Sequence, residues 1–384
     1  MANRFIPVAE PVLEGNEKKY VLECLERGWI SGSGKYVDAF EEQFAAFCDV
    51  PYAIAVANGT VALHVALMAL GIGRGDEVIV PDLTYIASAN AVSYCGAKPI
   101  LADIDPVTWT LDPQDAARKI SSATKAIMPV HLYGHPVDMD PILQLAKAHE
   151  LYIVEDAAEA HGAEYKGRLV GGLGDIAAFS FFGNKIITAG EGGILTTNDR
   201  RLAKKIRLLK GQGVDPQRRY WFPIIGYNYR LTNLQAAVAV AQFERIDWFI
   251  ERRREVARWY EEALRPLPVT LPSEAAWAKT VCWLYSICLP EEIERDVLIE
   301  QLMERGIETR PFFYPMHQMP PYYEPDGDLM FPVSTSRAMR GLSLPTSAKL
   351  SRDEVAYIAL MIHLCLEEQS GSERSTERNE SRGV

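Results

Sequence analysis

"MDPILQLAKAHELYIVEDAAEAHGA", Met139 to Ala163, is the stretch on which the reading of the chain turns. Met139–Glu150 reads as a helix. Leu151–Ala160 follows as a strand whose apolar run ends on two carboxylates, Glu155 and Asp156. A continuous apolar run, in place of alternation, predicts a strand covered on both faces. Helices alternating with such strands make an α/β domain with a mainly parallel sheet. In open α/β sheets, ligands bind beyond the carboxyl ends of the strands, which is where these two acids stand.

The same pattern extends to both sides. "EVIVP" (77–81), "KPILADID" (98–105), "KAIMPVH" (125–131) and "IAAFSFF" (176–182) read as further strands of this kind. The predicted organisation is a large α/β domain over 1–245, including the N-terminal segment, and a smaller C-terminal α+β domain over 246–368. A polar, low-complexity tail, 369–384, reads as disordered. "LQAAVAVAQFERIDWFIERRREVARWYEEAL", from Leu234, reads as one long helix leading out of the first domain.

Composition narrows the function. Of the 384 residues, 48% are apolar and 24% charged, the profile of a globular protein. The net charge of −11 disfavours a nucleic-acid partner, which needs a basic face. No run approaches the roughly 18 apolar residues of a membrane span, and "MANRFIPVAEPVLEGNEKKY" has no apolar segment of the secretory type. Six cysteines without a C-x-x-C pair predict reduced thiols and a cytoplasmic protein, with no metal site.

Three local features carry chemistry. "ANGTVALHVALMAL" predicts a buried helix from about Thr60 to Leu70. The free N–H groups at Asn58-Gly59-Thr60 suit an anion, although plain N-capping accounts for them as well. The nearby "GIGRGDEVIVP" is not a dinucleotide fingerprint, because its glycines follow a helix and precede a strand. Asp156 at a strand end can hold a proton on a ring nitrogen, or be a capping or salt-bridged aspartate. His161 reads as structural. The third feature is "FSFFGNKIITAGEGGILTTND", Phe179 to Asp199, which delivers one lysine, Lys185, among glycines and aromatic residues. In an apolar pocket a lysine loses its proton readily and can attack a carbonyl. A lysine for C4′, an acid for the pyridine nitrogen and a phosphate cradle together match pyridoxal 5'-phosphate.

"EDAAEAHGA", "FSFFGNKIITAGEGG" and "GYNYRLTNLQAA" resemble the signature segments of the DegT/DnrJ/EryC1/StrS sugar aminotransferases, and the likeness runs from about residue 5 to 368. The resemblance implies a fold type I PLP-dependent aminotransferase. It implies that Lys185 forms the Schiff base and shuttles the proton, and that Asp156 pairs with the ring nitrogen. Glu159, where many relatives have Gln, is placed near the ring hydroxyl and Tyr85 on the ring face. Gly59, Thr60 and Ser180 are placed on the phosphate, joined by Asn228 from the partner subunit of a homodimer with shared active sites. It further implies L-glutamate as amino donor and a nucleotide-sugar acceptor, GDP-4-keto-6-deoxymannose; UDP- or dTDP-linked 4-keto or 3-keto sugars are the alternative. Arg219, with Arg218, Tyr220 and Trp221, reads as a contact for the diphosphate and sugar, or as a solvated basic turn. Tyr314 and His317 in "FYPMHQMPPY" read as lining the same site, or as packing in a Pro-rich loop. Lys185 argues against the dehydratase relatives, which carry His at that position. Lys185 and Asp156 together argue against a non-catalytic binding protein of the same fold.

Overall fold

The computed structural model describes residues 5–380. Its largest sheet has seven strands: β1 Tyr52–Val56, β2 Glu77–Pro81, β3 Lys98–Ala102, β4 Thr124–Ile127, β5 Tyr152–Asp156, and, after a short hairpin of β6 Glu164–Tyr165 and β7 Arg168–Leu169, β8 Ile176–Ser180 and β9 Gly193–Thr197. The order is β1-β9-β8-β5-β4-β2-β3. Pairs from β3 through β8 are parallel, and β9 alone runs against its neighbours. The sheet is therefore mainly parallel and mixed, as the α/β reading requires.

Side-chain alternation shows why these strands are apolar throughout. Ile153 and Val154 of β5, or Ala177 and Ala178 of β8, point into different cores on opposite faces. Both faces are covered by helices, so neither set can be polar. The helix Gly59–Leu70 packs on one face beside Arg200–Lys210, while Lys35–Phe47 and Asn233–Phe243 cover the other. Gly59–Leu70 is apolar nearly all round because it is almost fully enclosed. It stops at Gly71, whose φ of 87° suits glycine.

Two of the seven strands, β1 and β9, were not among the strands expected from the sequence. The helix expected from Leu234 is two helices, Asn233–Phe243 and Ile246–Leu264. The first is buried on the large sheet, and the second turns away at Arg245 to serve another core.

That other core lies over an antiparallel sheet. After the two-residue β10 Ala278–Lys279, which pairs with β6, come β11 Tyr285–Cys288, β12 Arg310–Pro311 and β13 Gly341–Leu344, in the order β11-β13-β12. Helices Ile246–Leu264, Arg295–Glu304 and Arg352–Glu380 pack here through Tyr260, Leu298 and Ile358. Ile6 joins this core and bridges to Ile307. The last helix runs to Glu380, through much of the stretch read above as a disordered tail; it extends from a turn anchored by Ile362 and Leu366, and nothing between Gln369 and Glu380 is a proline. Residues 381–384 of that tail lie outside the described residues.

Candidate active site

A cleft of about 640 Å³ opens at the carboxyl ends of β5 and β8, between the large sheet and the Trp283–Phe313 side of the molecule. That volume falls within the roughly 300–1,000 Å³ of small-molecule sites. Gly59, Thr60, Tyr85, Asp156, Glu159, Ser180 and Lys185 all line it. Residues separated by more than a hundred positions in the chain thus converge, as the strand-end argument requires.

Lys185 sits in the turn after β8, its N–H bonded to the Phe182 carbonyl at 3.0 Å. Its side chain is 11% exposed, with Nζ 3.6 Å from Glu159 Oε1 and 3.8 Å from the centroid of the Trp283 ring. Trp283 is held in turn by its Nε1–H, which donates to the Asn184 carbonyl at 2.8 Å. Burial lowers the lysine's pKa from its ordinary value, against the pull of Glu159 and Asp156. The buried Glu159 carboxyl is pushed up to about 7 by desolvation, while Lys185 and the Tyr133 N–H, 2.8 Å from Oε2, oppose the rise. Both shifts favour uncharged forms.

Asp156 ends β5 at 5% exposure. The Ser88 hydroxyl donates to Oδ2 at 2.7 Å and the Ala158 N–H to Oδ1 at 3.2 Å. Burial raises its pKa, and those donors pull against the rise. Its neighbour Glu155 points the other way and does structural work. It accepts from the N–H groups of Gly171, Leu173 and Gly174 at 2.7–2.9 Å. It also accepts from His131, whose Nδ1 takes the Val137 N–H and so leaves the proton on Nε2, 3.2 Å from Glu155.

The expected phosphate cradle is a close-packed corner. Asn58 caps the helix through Oδ1 and the Val61 N–H at 3.0 Å, leaving the Gly59 and Thr60 N–H groups at the cleft. A Cβ on Gly59 would lie 2.8 Å from Ser180 Cβ, so only glycine lets the helix start come this close to the serine. The donors suit a phosphate, the enclosed Lys185 suits an aldehyde carbon and the buried Asp156 suits a protonated ring nitrogen. The residues present therefore fit pyridoxal phosphate.

Four of the residues named above do not line this cleft, two of them, Asn228 and Arg219, in keeping with a reach into a partner's site. Asn228 is exposed, and its Oδ1 accepts from Arg230 at 2.7 Å. Arg219 lies over the Tyr220 ring in an exposed segment, beside Arg218 over Trp221. Tyr314 is 59% exposed and does not line the cleft, although its neighbour Phe313 does. His317 corrects the expectation most clearly. It is 1% exposed, with Nδ1 2.7 Å from Asp82 and Nε2 3.0 Å from Asp328. Burial alone would lower its pKa, but the two carboxylates outweigh it and raise it. It latches the Pro-rich loop to the end of β2 and has no ring nitrogen to offer a substrate. In the other direction, Ser88 and Trp283 touch the site and were not expected; a serine between alanines and a tryptophan in a strand lead carry no local signal of a role.

Comparison with known proteins agrees with this geometry. The model of the DegT/DnrJ/EryC1/StrS aminotransferase family matches residues 11–363. The GDP-perosamine synthase of Caulobacter vibrioides is 54% identical over 354 residues, covering 91% of this chain and 95% of that protein. The GDP-perosamine synthase of Escherichia coli O157:H7 is 49% identical over 360 residues, covering 94% and 98%. Among solved structures, the PLP form of Spr1654 from Streptococcus pneumoniae superposes with a TM-score of 0.90 at 26% identity, covering 95% of this chain and 100% of that one.

Proposed function

The chain belongs to the DegT/DnrJ/EryC1/StrS aminotransferase family, and on that premise we propose that it is a PLP-dependent sugar aminotransferase that moves the amino group of L-glutamate to C4 of GDP-4-keto-6-deoxy-D-mannose, giving GDP-perosamine. The observation that carries the chemistry is the enclosed Lys185 amine, 3.6 Å from Glu159, in one cleft with Asp156 and the Gly59–Thr60 helix start. The substrate assignment is supported by the two relatives of that activity at 54% and 49% identity.

Bound in the cleft, pyridoxal phosphate supplies an electron sink for the charge left when the donor's α-proton departs. The chain's own residues do the rest. The Gly59 and Thr60 N–H groups and the Ser180 hydroxyl hold the phosphate, and Tyr85 walls the ring. Asp156, buried and oriented by Ser88, holds the proton on the pyridine nitrogen. Lys185 Nζ, whose cationic form burial disfavours, accepts the donor's α-proton as general base; in the second half-reaction it delivers a proton to the sugar's C4. Glu159 stands 3.6 Å away as its proton partner.

The working unit in this reading is a homodimer in which Asn228 and Arg219 reach the neighbouring cleft. Two features support it: neither residue lines its own chain's cleft, and the segment around them exposes Tyr220 (75%) and Ile225 (89%), an apolar surface that a second copy would cover. We place the reaction in the cytoplasm, a reading supported by six cysteines that all remain free thiols; no helix among the described residues is long and apolar enough to cross a membrane.

Borohydride reduction and peptide mapping test the cofactor assignment. Label on Lys185 is expected, and label on another lysine refutes it. A competition among GDP-, UDP- and dTDP-linked keto-sugars with glutamate tests the substrate. Preference for a UDP or dTDP sugar would reject the GDP reading while leaving transamination intact.

A further inference from the structure

The helix Ile246–Leu264 sends one cation into the interior that the reaction described above does not use. Arg253 is 3% exposed. Its Nη1 donates to the carbonyls of Trp283 at 2.6 Å and Thr346 at 2.8 Å, and its Nη2 to the carbonyl of Lys185 at 3.4 Å. Its Nε has no partner, and among the described residues it forms no ion pair. Lys210, its side chain 12% exposed, behaves in the usual way and pairs with Glu41 at 2.9 Å. An internal guanidinium without a counter-charge is costly to desolvate, so filling space is a poor reason for one.

Two of the carbonyls it binds identify what it serves. One belongs to Lys185 and the other to Trp283, whose ring lies 3.8 Å from the Lys185 amine. We propose that Arg253 is a positioning residue for Lys185: it ties the lysine's turn to the Trp283 wall and sets an unpaired positive charge against the lysine's own carbonyl. The proposal rests on Lys185 being the reacting amine.

The charges around that amine divide by sign. Glu159, Asp156 and the face of Trp283 favour the ammonium form. His161, enclosed by the Phe44, Phe179 and Phe181 rings, is neutral, because burial drives its pKa down to about 3. Arg253 joins burial in opposing the ammonium. Like charge disfavours like, so removing it makes Lys185 more basic and less often the neutral amine that the chemistry needs.

The test uses cofactor-free protein and needs no turnover. The pH dependence of acylation at Lys185 by an amine-directed reagent, read by peptide mass spectrometry, reports the titration of that one amine. Arg253→Met and Arg253→Gln remove the charge, and the midpoint of the Lys185 acylation profile is expected to rise by at least about half a pH unit, a roughly threefold change in its proton affinity. Arg253→Lys keeps the charge and is expected to titrate close to wild type. A folded neutral variant that titrates like wild type overturns the proposal. So does an equal shift in Arg253→Lys and Arg253→Met, which would make the effect one of shape. If Arg253→Lys folds and neither neutral variant does, the positive charge is a stabilising strut for the fold and the proposal also falls. Borohydride mapping of the wild type remains separate: label on another lysine would remove Lys185 from catalysis without altering the outcome of the titration.

Discussion

Replacing Gly193 with alanine adds one methyl group at the point where the cradle is tightest. Gly193 opens β9 and sits between Val56 of β1 and Ser180 of β8 in register. An ideal Cβ there lies 2.4 Å from the Asn58 carbonyl oxygen, 2.5 Å from its carbon and 3.0 Å from the Gly59 nitrogen. These are main-chain atoms, so no side-chain rotation relieves the contact. The helix start must move away from β9 by several tenths of an ångström, which strains the Asn58 cap on the Val61 N–H. Overpacking costs about 1–3 kcal/mol and a lost cap about 1 kcal/mol. A loss of roughly 2–4 kcal/mol in urea unfolding of the cofactor-free protein is therefore expected. The same displacement carries the Gly59 and Thr60 N–H groups off the phosphate position, and loss of one charge-assisted bond weakens cofactor binding by about tenfold or more. Gly183, six residues before Ala189 in the same segment, has no atom within 4 Å of its would-be Cβ, so Gly183→Ala is the control. A Gly193→Ala protein as stable as Gly183→Ala, with unchanged affinity for pyridoxal phosphate, would refute the cradle as built here.

Asp156→Asn should fold, since the amide oxygen can keep the Ala158 N–H while the Ser88 hydroxyl turns to accept from the amide nitrogen, but lose at least about 10²-fold in transamination rate, because an amide cannot hold the ring proton by charge; rates near wild type would remove Asp156 from the ring. Glu155 has its pKa lowered, burial being outweighed by His131 and the Gly171 and Gly174 N–H groups, so its contribution to stability is present above pH 4.5 and is lost as pH falls through its folded value. Glu155→Gln should therefore be less stable than wild type at pH 7, with the gap closing on acidification; a pH-independent gap in urea unfolding would show that its charge is irrelevant. Hybrid dimers of Lys185→Ala with an Asn228→Ala, Arg219→Ala chain test the shared site. Each parent should be nearly inactive, and free re-pairing should restore about a quarter of wild-type activity, whereas verified hybrids without activity would confine Asn228 and Arg219 to their own chain.

The fold class and the three chemical elements were legible in the primary structure because each has a local cause. A strand covered on both faces must be apolar along its length, as Tyr152–Val154 and Ile176–Phe179 are. A helix start declares itself through Asn58 and its cap, and an acid or a lysine at the end of a buried run stands out against its neighbours. β1 and β9 were harder, since their short runs lie against "ANGT" and "GEGG" and resemble loop margins. The apparent single helix from Leu234 kept its apolar pattern across a break that is made by a change of core, from the large sheet to the small one.

Contacts between distant segments were decided by tertiary structure alone. Ser88 reaches Asp156 across 68 residues, and Arg253 reaches the Lys185 turn across 68 more. Trp283 covers an amine on the far side of the chain. His317 illustrates the limit well. Its Pro-rich surroundings specify a loop, and only the positions of Asp82 and Asp328 settle that both ring nitrogens are engaged. Burial and pKa follow the same rule. The composition around Lys185 allows an acidic amine, but the direction of its shift depends on how much solvent is excluded and on which charges the fold brings within a few ångströms, and those distances are properties of the packed chain.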